Sequence, residues 1–550
     1  MKKFLIAALS VIPQLALAQV PSNGPIIGVP DNTQCLSTGN NGFCNQYRPG
    51  GPAGFTGLET VPAYTNNPSN NPTAVLAPAN ILRLAPYNGS IPSAVGWNSS
   101  VYPVSPSIVY ASGSPSYGSV GITPEALFDK YSTARSAPGA TFYSAATGGS
   151  DGNNCTSAGT PCATVGAAVT KCNTAAVPCT IFVAGTATPI FYKNAGFTNF
   201  NSVFPTVDIA FIATGGSRIT MCHCDAYSAP SKDGTFTNTY SFALTNVERV
   251  LDLTRRDQYG DYVELTNVST NAIANVTPNS WNITTGTIYI QRYDGAAVTN
   301  ANTRILRATG GTNSGLNSAT QTNIYIGGQT SVDGFDLEGG SDGFKTTFTN
   351  YSSANGVAVV SGASIKYAGG VVNTLGNCVS ANSFNGVVAF FNVQANACAS
   401  DGFNGHNNIA LTGGTAKMYM MTVNSAAFDN GRGTSQSNNC LTIHEDVTML
   451  DVAGWCWGNR GGSVRNINAT KGYLLGTFVD NDLGDIANGG IQQPTAFRVE
   501  NTGIMYADAV QSKMPASTYN FYAASGSFMY TKNIIPSRQP NAGNGTFSSF

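Results

Sequence analysis

Apolar, strand-like segments recur along the second half of the chain, each followed by a turn rich in Gly, Asn or Asp. The centres of eight such segments are Leu337, Val359, Phe391, Met421, Leu450, Leu475, Val499 and Phe528. Their mean separation of about 27 residues lies within the period expected of solenoid repeats. No helical pattern of roughly 10 to 15 residues lies between them, so the crossover helices of an α/β sheet are not expected.

This pattern predicts an all-β fold whose main body, residues 139–535, winds into a parallel β-helix, with a C-terminal tail over 536–550. Segments such as 389–393 and 418–423 are apolar along nearly their whole length, as is typical of buried parallel strands. A sandwich and a propeller are the alternatives. Propeller blades place four strands in about 40 to 50 residues, and the interval observed is too short and too irregular for that.

The N-terminus has the pattern of a secretory signal peptide. Lys2 and Lys3 precede an apolar stretch that ends in the small-residue cleavage signal 16–18. We therefore expect residues 1–18 to be removed and the mature chain to be secreted, to the periplasm or the exterior. No later segment approaches the roughly 20 apolar residues that a spanning helix needs, so no membrane span is expected.

Residues 19–138 are rich in Pro, Gly, Asn and Ser and show few sustained periodic runs, which predicts an irregular N-terminal region. One short helix is predicted over 124–131, with Thr123 as its N-cap and Pro124 in its first turn. A second helix is predicted over 166–172, because small and apolar residues there follow a polar turn.

The passage from the Gly- and Asp-rich turn at 149–155, through 160–165 and the second helix, to the strand-like 179–186 resembles the opening of pectate-lyase-like β-helix proteins. That resemblance covers about 45 residues. It implies a right-handed coil whose first turn is capped by the short helix.

Composition narrows the range of partners. Only 10% of residues are charged and the net charge is −1, which removes any electrostatic case for nucleic acid or an anionic membrane. All 12 cysteines follow the signal peptide, an even number that favours disulfides in an exported chain. The close pairs are Cys35/Cys44, Cys155/Cys162 and Cys172/Cys179, while Cys378, Cys398, Cys440 and Cys456 are spaced to link stacked segments. We assign no metal to Cys222-His223-Cys224, because neighbouring residues of a strand point to opposite faces.

Side chains from successive coils of a β-helix align on one outer face, so polar residues one coil apart converge. Residues 401–408, 438–446 and 454–462 resemble a group of bacterial and phage right-handed β-helix proteins that carry Asp-Gly-Phe-Asn-x-His followed one coil later by Thr-x-His-Asp. Here Glu445 separates His444 from the acidic Asp446. The candidate catalytic residues are His444, Asp446, Asp401, His406 and Arg460.

An outward His444 beside Asp446 can be held in one tautomer and act as a general base. Lyase chemistry on a uronic-acid polymer also requires a cation at the sugar carboxylate, a role that suits Arg432 or Arg460. The alternative is that these residues form solvated turns or a hydrogen-bonded polar ladder.

Two further features bear on the chemistry. Asp480 and Asp482 lie on one face of a predicted strand. With Asp446 or Asp451 from an adjacent coil, they could supply the two carboxylates that a hydrolase needs. The alternative is that they belong to a Ca²⁺-binding turn or to an exposed turn. Trp455 and Trp457 flank Cys456, and each is either a stacking platform for a sugar ring or a core residue. The candidate substrate-binding residues are Arg432, Trp455, Trp457, Asp480 and Asp482.

These observations predict a secreted, polysaccharide-active β-helix protein that acts as a lyase or a glycosidase on an extracellular or capsular glycan. The alternative function is a non-catalytic glycan-binding adhesin or spike-like surface protein. No cofactor is required by the sequence, although Ca²⁺ fits the acidic turn. Spike-like β-helices often form homotrimers, and no coiled-coil heptads accompany that expectation here.

Overall fold

The computed structural model describes residues 87–109, 115–185, 190–192, 204–224, 227, 230–257, 259–307, 316–350, 355–372, 374–407, 416–433, 438–461, 463–480, 495–513, 519–534 and 541–550. The predicted signal peptide, most of the N-terminal region, Cys35, Cys44 and Asp482 lie outside these residues.

Three long parallel sheets account for most of the strands. In stacking order, sheet 1 contains Ala140–Ala145, Cys179–Ala184, Ile209–Thr214, Ile324–Gly328, Gly356–Ser361, Gly386–Phe391, Met418–Val423, Thr448–Val452, Lys471–Leu475, Ile504–Asp508, Phe528–Lys532 and Thr546–Ser549. Sheet 2 contains Ile190–Tyr192, Arg218–Cys222, Gly334–Glu338, Ser364–Lys366, Gln394–Asn396, Ala426–Phe428, Trp455–Trp457, Phe478–Asp480 and Gln511–Lys513. Sheet 3 contains Leu316–Thr320, Phe344–Asn350, Val379–Asn382, Phe403–His406, Leu441–His444, Val464–Asn466, Thr495–Val499, Tyr519–Ala523 and Asn541–Ala542.

The chain visits the three sheets in a repeating cycle, so that each circuit forms one coil of a solenoid. Met421 of sheet 1 pairs with Leu450 one coil later, Leu450 with Tyr473, and Tyr473 with Tyr506. Coil length therefore varies around the predicted mean as loops of different size leave the corners. The all-β prediction is confirmed, and the strands stack as parallel coils; the right-handed sense of the coil stays a prediction.

The corner between sheets 1 and 2 uses a backbone conformation that most residues avoid. One residue in each of six successive coils adopts a left-handed φ of 49° to 69°: Gly362, Asn392, Asn424, Ala453, Gly476 and Ala509. Glycine and asparagine tolerate this conformation best. At Gly476 a Cβ atom would also lie 2.8 Å from the Cδ1 of Ile108, so the packing outside the corner excludes a side chain as well.

The interior of the solenoid is filled by aliphatic, aromatic and Met side chains from all three sheets. Helix Val165–Ala175 contributes its buried face to this core beside the first strands, with Thr164 accepting a hydrogen bond from Ala167 N (3.1 Å). Disulfides Cys155–Cys162 and Cys172–Cys179 close the loops that the spacing predicts. Cys378–Cys398 and Cys440–Cys456 each connect one coil to the next.

Residues 87–109 and 115–137 of the predicted irregular region lie along the outer face of sheet 1, where Trp97, Tyr102 and Phe128 join a second apolar core. Their elements are strands Tyr87–Asn88, Ser107–Val109 and Tyr117–Ser119, the 3₁₀ turn Ser93–Val95 and helix Pro124–Asp129. Thr123 caps that helix as predicted, accepting from Ala126 N at 3.2 Å. This region therefore buries the outer surface of sheet 1.

Residues 223–307 interrupt the solenoid after strand Arg218–Cys222, a feature that the repeat pattern did not predict. This segment, here called the insertion, folds around its own apolar core, which includes Trp281 and Ile305. Its strands are Ser231–Lys232, Tyr240–Ala243, Val247–Arg256, Tyr262–Glu264, Thr266–Asn267, Ser280–Thr284, Thr287–Gln291 and Thr303–Arg307, and its helix is Asn271–Val276. Most of these strands pair antiparallel.

Parallel pairing also extends beyond the boundary expected at residue 535. Strand Asn541–Ala542 joins sheet 3 and strand Thr546–Ser549 pairs with Phe528–Lys532 of sheet 1. The predicted C-terminal tail thus contributes strands to the last coil, because its short apolar–polar alternation matches the strand before it.

Asp451 places a carboxyl group inside the solenoid. Asp451 is about 1% exposed and accepts hydrogen bonds from the hydroxyls of Thr422 and Thr477. Burial raises the pKa of Asp451 from 3.8 to about 6. The folded chain therefore holds a proton that the unfolded chain releases between these two pH values, and the free energy of unfolding falls as pH rises through that range.

We expect Asp451→Asn to stabilise the protein by about 2–3 kcal/mol at pH 8, where the buried carboxylate is charged, and to change little at pH 4. Thermal unfolding at both pH values measures this difference. The exposed Asp446→Asn variant is the control and should show no comparable pH-dependent gain. Equal effects of Asp451→Asn at the two pH values would contradict the assignment.

Candidate functional site

A ladder of Asp and Asn side chains precedes successive strands of sheet 3. Asp342 accepts from Asn377 N at 3.1 Å, the Asn377 side chain accepts from Asp401 N at 3.0 Å, and Asp401 accepts from Asn439 N at 2.7 Å. Asp401 also accepts from the Asn404 side chain at 2.8 Å and is fully buried. Its carboxylate therefore holds the turn that leads into the next strand.

The two histidines predicted from sequence do come together. His406 ends strand Phe403–His406, His444 ends strand Leu441–His444, and the two residues are paired in register. Because inward residues such as Ile443 are buried in the core, both imidazoles point to the outer face of sheet 3. Their ring centroids lie 5.8 Å apart, nearly perpendicular.

Glu445 supplies the carboxylate at this pair. It begins the corner after His444 with a left-handed φ of 41°, and its Oε2 forms an ion pair with Nε2 of His406. The side-chain amide of Asn468, one coil farther on, donates to the other carboxylate oxygen at 2.9 Å. Residues from three successive coils thus fix Glu445 and, through it, the orientation of the His406 ring.

The environment of His444 favours its neutral imidazole. Burial lowers the pKa of His444 below 6.5, and the positive charges of His406 and Arg465 lower it further. The negative charges of Asp401 and Glu445 raise it, but they do not outweigh burial. A lowered pKa keeps His444 neutral near pH 7, so its imidazole can accept a proton.

Asp446 faces away from the histidine pair. Its φ of 58° turns the chain toward sheet 1, and its carboxylate pairs with Lys417 at 3.0 Å in an exposed position. The predicted pairing of His444 with Asp446 is replaced by the contact between His406 and Glu445. Two consecutive left-handed residues in the corner cause this change, because they reverse the alternation that a strand would continue.

Arginines lie beside the histidine pair on sheet 3. Arg465 is adjacent in register to Thr442, and Arg498 follows one coil later. Both guanidinium groups bind Glu500, each at 2.6 Å, and Arg498 also lies over the ring of Tyr522, 4.4 Å from its centroid. One carboxylate is shared by two guanidinium groups, which leaves this part of the face with net positive charge.

Arg432 and Arg460 are not at this site. Both belong to corners that follow sheet 2, where Arg432 binds Asp429 and the positive charge of Arg460 also acts on Asp429. Neither is therefore placed to meet a sugar carboxylate held at His444. On sheet 3, Arg465 is the arginine one coil after His444, and it binds Glu500.

The tryptophans and Asp480 also lie away from sheet 3. Trp455 and Trp457 share the face of sheet 2 opposite to Cys456, yet both are buried, at 3% and 1% exposure, in a cluster with Phe428. Asp480 pairs in register with Trp457 on the neighbouring strand, and burial raises the pKa of Asp480 to about 6. A sugar ring cannot stack on either tryptophan while this cluster stays packed.

The described part of the chain contains no candidate metal centre. No group of three or more His, Cys, Asp or Glu side chains there is placed to hold a metal ion. Cys222 and Cys224 form a disulfide, and burial lowers the pKa of the intervening His223 to about 3. No described helix combines the length and apolar character needed to cross a membrane.

Comparisons with known proteins show only a remote likeness. No family model matches the chain, and no curated protein matches its sequence. A solved glycoside hydrolase aligns with a TM-score of 0.44 and 8% identity over 74% of this chain and 96% of its own. The complex of XylC with xylose aligns with a TM-score of 0.32 and 9% identity over 74% of this chain and 70% of its own. The native GH136 lacto-N-biosidase from Eubacterium ramulus aligns with a TM-score of 0.27 and 9% identity over 75% of this chain and 68% of its own.

All three TM-scores are below 0.5, so these likenesses carry no inference about activity or substrate. The function is therefore argued from the geometry on sheet 3. Sequence reasoning found His406 and His444 but missed Glu445 and Arg465 as members of the site. Strand register brings the two histidines together, but the left-handed corner at Glu445 and Asp446 decides which carboxylate contacts them, and no sequence signal indicates that corner.

Titration of the histidines distinguishes Glu445 from Asp446 as the electrostatic partner of the pair. By NMR, we expect His444 to titrate below pH 6.5, and the Glu445→Gln variant to lower its pKa further because a stabilising negative charge is removed. The matched Asp446→Asn variant should leave it unchanged. A His444 pKa above 6.5, or equal responses to the two substitutions, would contradict this arrangement.

Proposed function

We propose that this protein is a secreted, right-handed β-helix enzyme that cleaves a polysaccharide on the outer face of sheet 3. The observation that carries the proposal is the in-register pair His406 and His444, of which one imidazole is bound by a carboxylate and the other is favoured in its neutral form. The right-handed sense rests on the strong preference of parallel crossover connections for that hand. Five disulfides fit an oxidising compartment.

The geometry favours β-elimination on an acidic sugar. Neutral His444 accepts the proton from the carbon next to the sugar carboxylate, the freed electron pair forms the new double bond, and the glycosidic oxygen leaves and is protonated by solvent or by His406. Arg465 supports this step by stabilising the negative charge that develops on the carboxylate. Glu445 supports the ring of His406 through the contact of its carboxylate with Nε2.

The outer face of sheet 3 suits an extended chain of sugars. Adjacent coils bring outward side chains about 4.8 Å apart, so polar residues form a row along the solenoid. This row runs through Ser380, Asn404, Thr442, Arg465 and Arg498 in strand order. Ser380 and Thr442 are buried, so Asn404, Arg465 and Arg498 are the members of this row that are partly exposed to a sugar chain.

Binding without cleavage is the second candidate function, as in an adhesin or spike-like protein. The observation that favours it is the ladder through Asp401, which engages that carboxylate in holding the backbone. In that case the histidines and arginines of sheet 3 serve only to bind glycan. A glycosidase would instead require two carboxylates roughly 5–9.5 Å apart on the same face.

A panel of acidic and neutral polysaccharides tests the proposal. We expect wild-type protein to release products with new reducing ends and the ultraviolet absorbance of an unsaturated sugar. New reducing ends without that absorbance would show that the protein cleaves by hydrolysis and not by elimination. Bound glycan with neither product would establish the binding function instead.

His444→Ala should lower kcat by about 10²–10⁴-fold, the range typical of losing a general base. Asp233→Asn, in an exposed turn of the insertion, is the control and should cleave at the wild-type rate. Circular dichroism verifies that both variants are folded. Undiminished cleavage by folded His444→Ala would remove sheet 3 as the active site.

A further inference from the structure

The insertion docks against the outer side of sheet 2 through charged and aromatic contacts. Arg304 of the insertion pairs with Glu338, and Asp261 accepts from Lys366 at 2.9 Å. On a later coil, the ring of Tyr259 packs against Trp457 with centroids 4.3 Å apart. The contact therefore follows the solenoid axis over several coils.

One guanidinium group serves three carboxylates in this contact. Arg432, in a corner of the solenoid, pairs with its neighbour Asp429, with Asp257 at 2.9 Å and with Glu264 at 3.3 Å. Asp257 and Glu264 belong to the insertion, whereas Asp429 belongs to the solenoid. Arg432 thus adds a third ionic bridge between the two parts, beside Arg304–Glu338 and Lys366–Asp261.

The other charged groups here leave Asp257 without a cation of its own. Glu264 also binds Arg249 at 2.7 Å, and Asp261 binds Lys366 and the amide of Asn396. Asp429 is further stabilised by Arg460. Among the described residues, the only cation that Asp257 contacts is Arg432, which it shares with Asp429 and Glu264.

Docking also constrains the protonation of Asp257. Its Oδ1 accepts from Tyr259 N at 2.9 Å and Asp261 N at 3.0 Å, while its Oδ2 faces Arg432. Burial, together with the negative charges of Asp261 and Asp429, outweighs Arg432 and raises the pKa of Asp257 to about 7. Burial raises the pKa of Asp429 as well.

We propose that the contact of the insertion with the solenoid at Arg432 is a pH-sensitive latch, closed under acidic conditions and loosened as the pH rises to neutral. In the closed state Asp257 keeps a proton that it loses when the insertion separates and water solvates the carboxylate. The closed state therefore binds more protons than the open state, and a rise in pH favours opening.

The size of the effect follows from release of one proton. The opening equilibrium should increase by about tenfold per pH unit between roughly pH 5 and 7, and level off above that range. Opening would uncover Trp457 and the corner residue Gly458, against which the ring of Tyr259 packs. This latch is separate from the proposed glycan cleavage on sheet 3.

Hydrogen exchange of the full-length protein tests the latch, because two amides report on the contact. Tyr262 N donates to the hydroxyl of Tyr367 at 2.9 Å, and Val372 N donates to Glu248 at 2.9 Å, both between insertion and solenoid. After correction for the intrinsic rate, we expect their exchange to accelerate about tenfold per unit between pH 5 and 7. Amides of sheet 1 should show no such acceleration.

Asp257→Asn is the decisive variant, because its amide oxygen can still accept from the two backbone N–H groups while its charge no longer changes with pH. We expect a clearly weaker pH dependence of exchange at Tyr262 and Val372 in this variant, since Asp429 then remains as the other carboxyl group of raised pKa at Arg432, and wild-type behaviour in the control Asp233→Asn. Corrected exchange that is independent of pH in the wild type, or that keeps its full pH dependence in folded Asp257→Asn, would overturn the proposal.

Discussion

The structure depends on the in-register stacking of parallel strands. Each coil satisfies its backbone hydrogen bonds through the coils before and after it, and the side chains of equivalent residues lie one above another. This arrangement requires the chain to turn at the same place in every circuit. Left-handed residues such as Asn392, Asn424 and Gly476 provide the turn between sheets 1 and 2, so loops of different length can leave other corners without breaking the stack.

Stacking also creates the candidate site. His406 and His444 are 38 positions apart in the sequence, but their strands pair residue for residue, which places both rings on one surface. The corner then decides which acid meets them: Glu445 turns back to His406, and Asp446 turns toward Lys417. Glu445 in the corner is thus the electrostatic partner of the histidine pair. The ladder through Asp401 holds the strands that carry the two histidines.

The solenoid carries two polar systems with different character. On sheet 3, imidazoles and guanidinium groups remain partly exposed and can meet a ligand. On sheet 2, carboxylates and guanidinium groups are mostly enclosed by the insertion, where desolvation makes their protonation depend on docking. The two arginines that the sequence suggested for neutralising a sugar carboxylate, Arg432 and Arg460, belong to the enclosed system.

The sequence by itself determined the all-β class, the mean spacing of the strands, the Thr123 N-cap and the disulfides Cys155–Cys162 and Cys172–Cys179, because these follow from local alternation, turn residues and short spacing. It also identified His406 and His444. Only the tertiary structure decided that Glu445 rather than Asp446 contacts this pair, that Trp455 and Trp457 are buried, and that residues 223–307 form a docked insertion. Corner conformation and packing between distant segments control these features, and neither leaves a periodic signal in the chain.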